Sequence, residues 1–459
     1  MRKPNVVLII LDTVRAQNMS CYGHLRTTTP YLEEFASQGV LFKQAFTPAV
    51  WTIPSHATLF TGTYPSRHGA LNLHRFLDGT YATLAEVLSS AGFQTTAFSN
   101  NYFLSTEAFG LSRGFQIVVG PKYPRRSIER ALLGMKRCLT RMKDCGASSA
   151  NLFVKRWMRH RSPSDRPFFL FLNYMEAHAP YTDIPKRFLD SFLTPAQRKR
   201  FHEINQDRQM YLTRSIEMPP EDFEILRSVY DAQISYLNTR IKELLEILKY
   251  EDMLDNSLVI ITSDHGDMIG EHSLMHHSYC LYEELIKVPL LLKLPGNEGN
   301  RKERYDLVSL VDLFPTILDC LGLDSRLADC KSQGISLLTQ DSETHREYVF
   351  VECEKPKNEF TETYPDFDFS VYDRQLLAIR SRRHKFIWAS DGRHEFYDLK
   401  KDPREEHNRI GEDTDTADRL REELLKWYGS FEKYDTTETQ NQMDLDQEVK
   451  ERLQALGYF

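Results

Sequence analysis

The chain has 459 residues, 41% of them apolar, enough for one large core and a smaller companion. Its formal net charge of −7 argues against a nucleic-acid binder, and no run approaches the ~18 consecutive apolar residues of a membrane span. Seven scattered cysteines without CxxC spacing argue against a disulfide framework or a zinc knuckle, so the expectation is a soluble, cytoplasmic protein.

In chain order, Val6 to Leu11 (VVLIIL) is a continuous branched run of the kind buried on both faces of a parallel sheet, and it ends in Asp12. A helix follows, with Leu32, Phe35 and Ala36 on one side. In AVWTIPSHATLFTG (49–62), Pro54 suits a first helical turn, so a helix is predicted to begin beside Thr52. FQTTAFSN (93–100), PFFLFLNY (167–174), SLVIITSDHG (257–266) and VPLLLKL (288–294) repeat the pattern of an apolar run closed by polar residues. Between them Ile234, Leu237, Ile241, Leu244 and Leu248 recur at helical spacing. The predicted fold is α/β: a central, mostly parallel sheet sandwiched by helices over residues 1–340, then a smaller α+β domain over 341–459 built on a short antiparallel meander and terminal helices.

Between Lys122 and Arg166 lie 13 Lys or Arg against three acids, a basic insert in an acidic protein. Within it Ile128, Leu132, Met135, Leu139 and Met142 form an apolar stripe, predicting a basic helix over 124–146. That helix either packs on the body, or lies on an anionic membrane surface or guides an anionic substrate.

In parallel sheets ligands collect at the carboxyl ends of strands. Asp12, Asn100, Asn101, Asp264 and His265 fall there. Two carboxylates, one imidazole and the Thr52 hydroxyl make an oxygen-rich donor set suited to one divalent metal ion that activates a hydroxyl: Mn²⁺, Zn²⁺ or Mg²⁺. A helix cap with a solvated histidine is the alternative for Asp264 and His265.

The stretches PNVVLIILDTVRAQNMSCYG, WTIPSHATLFTGTYPSRHG, FFLFLNYMEAHAPY, TSDHGDMIGEH, YEELIKVPLLLKLPG and EFYDLKKDPREEHN, in this order, resemble the sulfatase family of the alkaline phosphatase superfamily. The resemblance implies a metal-bound nucleophile that attacks sulfur or phosphorus in an anionic ester. It places Thr52 at the nucleophile position, where that family carries the Cys or Ser that becomes formylglycine, and His56 at the position of its arginine. Threonine instead resembles the phospho-threonine chemistry of lipid-head-group phosphotransferases. A sulfo-threonine lacks the formylglycine exit, whereas a phospho-threonine is open to in-line displacement. The expectation is therefore a hydrolase favouring phosphate or phosphonate esters over sulfate esters; the alternatives are a phospho-group transferase and a non-catalytic binding protein.

A second departure is Thr13, where many sulfatases carry another acid. The implied metal shell is then Asp12, Thr52, Asp264 and His265, favouring Mn²⁺ or Zn²⁺, with Ca²⁺ or Mg²⁺ as alternatives. The resemblance also assigns His178 to binding or protonating the transferred group. His277 takes the place of a family lysine and is expected as an acid, with His276 a one-residue alternative. Asn101, His56 and Arg15 are candidate substrate contacts; for Arg15 an exposed helix position is the other reading. Asp267 and Glu271 are expected as loop acids, or as ligands of a second metal.

Overall fold

The computed structural model describes residues 3–120, 144–161, 165–181, 184–297, 302–323, 331–338, 346–356 and 363–435. Most of the predicted basic helix, with its stripe from Ile128 to Met142, lies outside them, as does the boundary expected at 340/341.

Eight strands form the main sheet: β1 (Asn5–Leu11), β2 (Val40–Phe42), β3 (Gln94–Ser99), β4 (Ile117–Val119), β5 (Phe168–Tyr174), β6 (Ser257–Thr262), β7 (Leu290–Lys293) and β8 (Lys302–Arg304). Their spatial order is β8-β2-β7-β6-β1-β5-β3-β4. Only β7 runs against the others, pairing antiparallel with both β6 and β2. The predicted mostly parallel sheet is therefore present, with one reversal that the apolar run 288–294 did not disclose.

All seven residues of β1 are buried, because the strand feeds two cores. Val7, Ile9 and Leu11 face one that includes Leu226, Leu237, Ile241 and Leu248 of the Pro220–Tyr250 helix. Val6, Leu8 and Ile10 face the other, with Ile53, Ala57 and Phe60 of the Thr52–Thr61 helix. The period of two along the strand divides one run of branched residues between two helical layers. Truncating Leu8 to Ala in such a layer costs about 2–5 kcal/mol.

Register brings the strand ends together. Ile10 pairs with Thr262 on one side and Asn173 on the other, and Asn173 pairs with Ser99 beyond it. Asp12, Asp264, Asn101 and His178 consequently follow the ends of four adjacent strands. Farther along the chain, β9 (Val349–Cys353), β10 (Leu376–Arg380), β11 (His384–Ala389) and β12 (Glu395–Asp398) form the antiparallel sheet expected from the meander. The Thr414–Gly429 helix packs on it through Ala417, Leu420 and Leu424. Among the described residues no helix is long and apolar enough to cross a membrane.

Candidate active site

Asp12 follows β1 directly and is fully buried. The side-chain amides of Asn101 and Asn173 each donate to its Oδ2 at 3.1 Å, while Oδ1 makes no hydrogen bond. Asp264 follows β6: its Oδ1 accepts the Thr13 and His265 amides at 3.1 and 3.0 Å, and its Oδ2 is likewise without a hydrogen bond. His265 Nδ1 donates to the Gly266 carbonyl at 2.8 Å, which leaves Nε2 as the lone-pair atom, buried and unsatisfied. Ligand atoms of Asp12, Asp264 and His265 lie within 4.8 Å of one another.

Three buried acceptors aimed at one another, each supported from behind by a hydrogen bond, are costly unless a cation joins them. Two carboxylates and an imidazole suit a divalent ion, so these residues fit the metal expected from the sequence. A second acidic group, Asp402, Glu406 and His407, lies toward the surface, where Asp402 accepts the amides of Glu406 and His407.

Burial and then the charge of Asp12 push Asp264 up to about 7. Burial also acts on Asp12, but the imidazoles of His178, His265 and His56 and the amide of Asn173 outweigh it and hold Asp12 below the usual range. The pair divides its protonation as two carboxylates without a cation must. Burial keeps His265 low, and with it neutral and able to ligate.

The helix carrying Thr52 starts where predicted. Trp51 is extended, Thr52 opens the Thr52–Thr61 helix, and Pro54 sits in the first turn, where an amide has no intrahelical partner. Gly62, at φ 67°, ends it with its amide on the Thr58 carbonyl. The first turn is docked on the Asp264 corner: Ser55 Oγ donates to the Asp264 carbonyl at 2.7 Å, and His56 Nδ1 lies 3.6 Å from Asp264 Oδ2. His56 Nδ1 also donates to the Thr52 carbonyl at 2.9 Å, and its ring packs between Phe60 and Phe171. His56 Nδ1 thus supports the helix start, while its Nε2 is buried and makes no hydrogen bond.

Asn101 and Arg15, the other expected substrate contacts, have protein partners in the structure. Asn101 directs its amide onto Asp12 and its Oδ1 onto the Phe103 amide, so it orients a carboxylate. The exposed position read for Arg15 is corrected: it is buried, with Nη1 and Nη2 on the two Glu271 oxygens at 2.9 and 3.0 Å and Nε on the Asp267 carbonyl. Glu271 is therefore an ion-pair partner. Asp267 accepts from His277 Nδ1 at 3.0 Å and from the Tyr181 hydroxyl at 2.9 Å, one on each carboxylate oxygen.

His277 and His178 do meet at the site. The His277 ring centroid lies 4.5 Å from that of His265 and 5.4 Å from that of His178. Burial, followed by the neighbouring His265, His178 and Arg208, holds His277 well below the ordinary imidazole range, hence neutral.

Some residues of the site carried little signal. Asn173 read as a strand residue, yet it shares Asp12 with Asn101. Thr13 was notable in the sequence only as a missing acid. Its φ of 60° is a rare conformation for a β-branched residue. There its amide reaches Asp264 and its hydroxyl donates to the Ala177 carbonyl at 2.8 Å, tying three strand ends together.

Residues 4–323 match the family model described as Sulfatase, and residues 270–428 match that of the N-sulphoglucosamine sulphohydrolase C-terminal region. The chain belongs to the sulfatase family. It is 26% identical to an arylsulfatase of Clostridium perfringens (strain 13 / Type A), over 92% of this chain and 94% of that one. Among solved structures, the phosphonate monoester hydrolase of Agrobacterium radiobacter superposes with a TM-score of 0.75 at 23% identity, covering 93% and 95% of the two chains. A 2-O GAG sulfatase gives 0.69 at 21%, covering 93% and 92%. Enzymes of the family generally bind a divalent metal ion.

Proposed function

We propose that this sulfatase-family hydrolase cleaves phosphate or phosphonate esters in preference to sulfate esters, with Thr52 as nucleophile. The observation that carries the reading is the position of Thr52 at the head of a buried helix docked on the Asp12, Asp264 and His265 corner. The amide-rich helix start favours an anion at that point. Asp12, Asp264 and His265, with the Thr52 hydroxyl, would hold one divalent ion, Mn²⁺ or Zn²⁺ by the donor set; bound there it lowers the pKa of a ligated hydroxyl and neutralises charge on the transferred group.

The Thr52 oxygen gives up its proton and bonds to phosphorus as the P–O bond to the alcohol oxygen breaks; the electron pair passes to that oxygen, which takes up the proton and departs as the alcohol. Water then displaces the Thr52 oxygen in line. Asn101 and Asn173 keep Asp12 oriented, Thr13 keeps Asp264 oriented, and His277 lies against His265 with His178 next to it. A threonyl ester of phosphate can be resolved in this way; a threonyl sulfate is hard to hydrolyse without the formylglycine exit. Similarity to the Agrobacterium radiobacter phosphonate monoester hydrolase agrees with this preference.

The test is turnover of purified protein with Mn²⁺, Zn²⁺, Mg²⁺ or Ca²⁺ on p-nitrophenyl sulfate, p-nitrophenyl phosphate, bis-p-nitrophenyl phosphate and p-nitrophenyl phenylphosphonate. A phosphorus ester should be the best substrate, and Thr52→Ala should lower kcat by about 1,000-fold or more. Full activity in Thr52→Ala removes the nucleophile assignment, and aryl sulfate as best substrate removes the phosphoester preference.

A further inference from the structure

His277 sits in an unusual piece of backbone. Gly270, His272, Ser273, His276 and Ser278 all adopt positive φ, between 51° and 92°. Four of these are side-chain-bearing residues in a conformation that costs free energy, and two of them bracket His277. The segment is a tight hairpin, Met268–Ile269 paired with Met275–His276. Arg15 pins it through Glu271, whose Oε2 also accepts the Ile269 amide at 2.6 Å. Strain of this kind persists only where the surroundings determine the geometry, and here it delivers one imidazole to the metal corner.

The side chain that receives this imidazole is Asp267. Its Oδ1 lies 3.0 Å from His277 Nδ1, and its Oδ2 accepts the Tyr181 hydroxyl at 2.9 Å. A carboxylate only accepts, so the proton must be on Nδ1, and the neutral ring carries its lone pair on Nε2. The donor at Oδ2 leaves the carboxylate a single orientation.

We infer that Asp267 is a positioning residue that fixes His277 in its Nδ1–H tautomer, so that Nε2 accepts the proton of the water that resolves the Thr52 ester. This rests on Thr52 as the nucleophile and makes His277 a base, where the sequence suggested an acid. In the step, the water O–H bond breaks as its oxygen bonds to phosphorus. The P–O bond to Thr52 breaks, with its electron pair passing to the Thr52 oxygen. Nε2 holds the proton and then returns it to that oxygen, restoring both residues.

Stopped-flow release of p-nitrophenol from the preferred phosphorus ester, with intact-mass detection of the covalent adduct, separates the two half-reactions. An Asn at 267 can donate its amide to Nδ1 and transfer the ring proton to Nε2, so Asp267→Asn should leave the burst rate within about threefold and lower steady-state kcat by about 100-fold or more. The adduct should accumulate. Tyr181→Phe, which keeps the ring and the carboxylate, should act in the same direction by about three- to tenfold and carries the test if Asp267→Asn does not fold. Burst and steady-state rates falling in parallel, or unchanged turnover in Asp267→Asn, overturn the inference while leaving Thr52 in place. Full turnover in Thr52→Ala without an adduct in wild type overturns both.

Discussion

The molecule buries two groups of charge in different ways. Beneath the four-stranded sheet, Lys385 of β11 is fully buried and bonds to Glu405, to the Leu281 carbonyl at 2.8 Å and to Glu283 at 3.5 Å. Arg380 of β10 reaches the two Glu283 oxygens at 3.4 and 3.3 Å. Two acids there meet two protein cations: Glu283, despite its burial, is held down to about 2 by Arg380 and Lys385, while burial pushes Glu405 up to about 8. At the carboxyl edge of the main sheet Asp12 and Asp264 are equally buried, yet no lysine or arginine among the described residues pairs with either, and Asp264 is pushed up. The first group is complete as a protein structure; the second has the form of half an ion cluster. What separates the two is the partner: lysine and arginine side chains complete the first cluster, whereas the second offers, among the described residues, only histidines and amides to its two carboxylates.

Substitutions of opposite sign would break or sharpen this contrast. Lys385→Met leaves two buried carboxylates with Arg380 alone and should lower stability by about 3–5 kcal/mol in urea unfolding. Asp264→Asn keeps the Oδ1 acceptor for the Thr13 and His265 amides while removing a charge facing Asp12. In metal-free buffer at pH 8 it should raise stability by about 1–3 kcal/mol. Equal losses in both variants would show that the two clusters are of one kind.

The next effect is the response to metal. An ion that binds the folded state at 100 times its Kd adds about 2.7 kcal/mol. Thermal unfolding with Mn²⁺ or Zn²⁺ against EDTA should show this gain in wild type and in Lys385→Met. It should be absent in Asp12→Asn and Asp264→Asn. A gain that survives both Asp substitutions would place the ion elsewhere.

The same contrast explains what was legible in the sequence. Asp12 and Asp264 follow apolar runs directly, so a strand prediction also locates them at a sheet edge, and Thr52 precedes a proline that marks a helix start. Residue type and local period were enough in those cases. Arg15 and Glu271 are 256 positions apart, Asp12 and Asn173 are 161 apart, and both contacts depend on which strands become neighbours. No local pattern carries that information, so Arg15 read as an exposed or substrate-binding cation and Asn173 as an ordinary strand residue. The ring of His56 shows the same limit: its motif position gives no hint that Phe60 and Phe171 flank it.

The smallest expected effect concerns Arg15 and Glu271, a pair of the completed kind beside the incomplete corner. Burial alone would raise the Glu271 carboxyl, but the Arg15 guanidinium overrides it and holds the group down to about 2, against an ordinary 4.5. A carboxyl depressed in the folded state contributes stability that is fully present above its ordinary pKa and lost as pH falls through the folded value. Wild type should therefore lose about 2 kcal/mol between pH 5 and pH 2 through this pair, a figure reduced for the partial exposure of Glu271. Glu271→Gln keeps an acceptor for Arg15 and for the Ile269 amide but has no proton to bind. Its urea midpoint should start lower at pH 7 and fall less on acidification, so that the two proteins converge near pH 2. If the gap stays constant with pH, the hairpin that carries His277 is held by the shape of the contact, and the charge of Glu271 has no part in it.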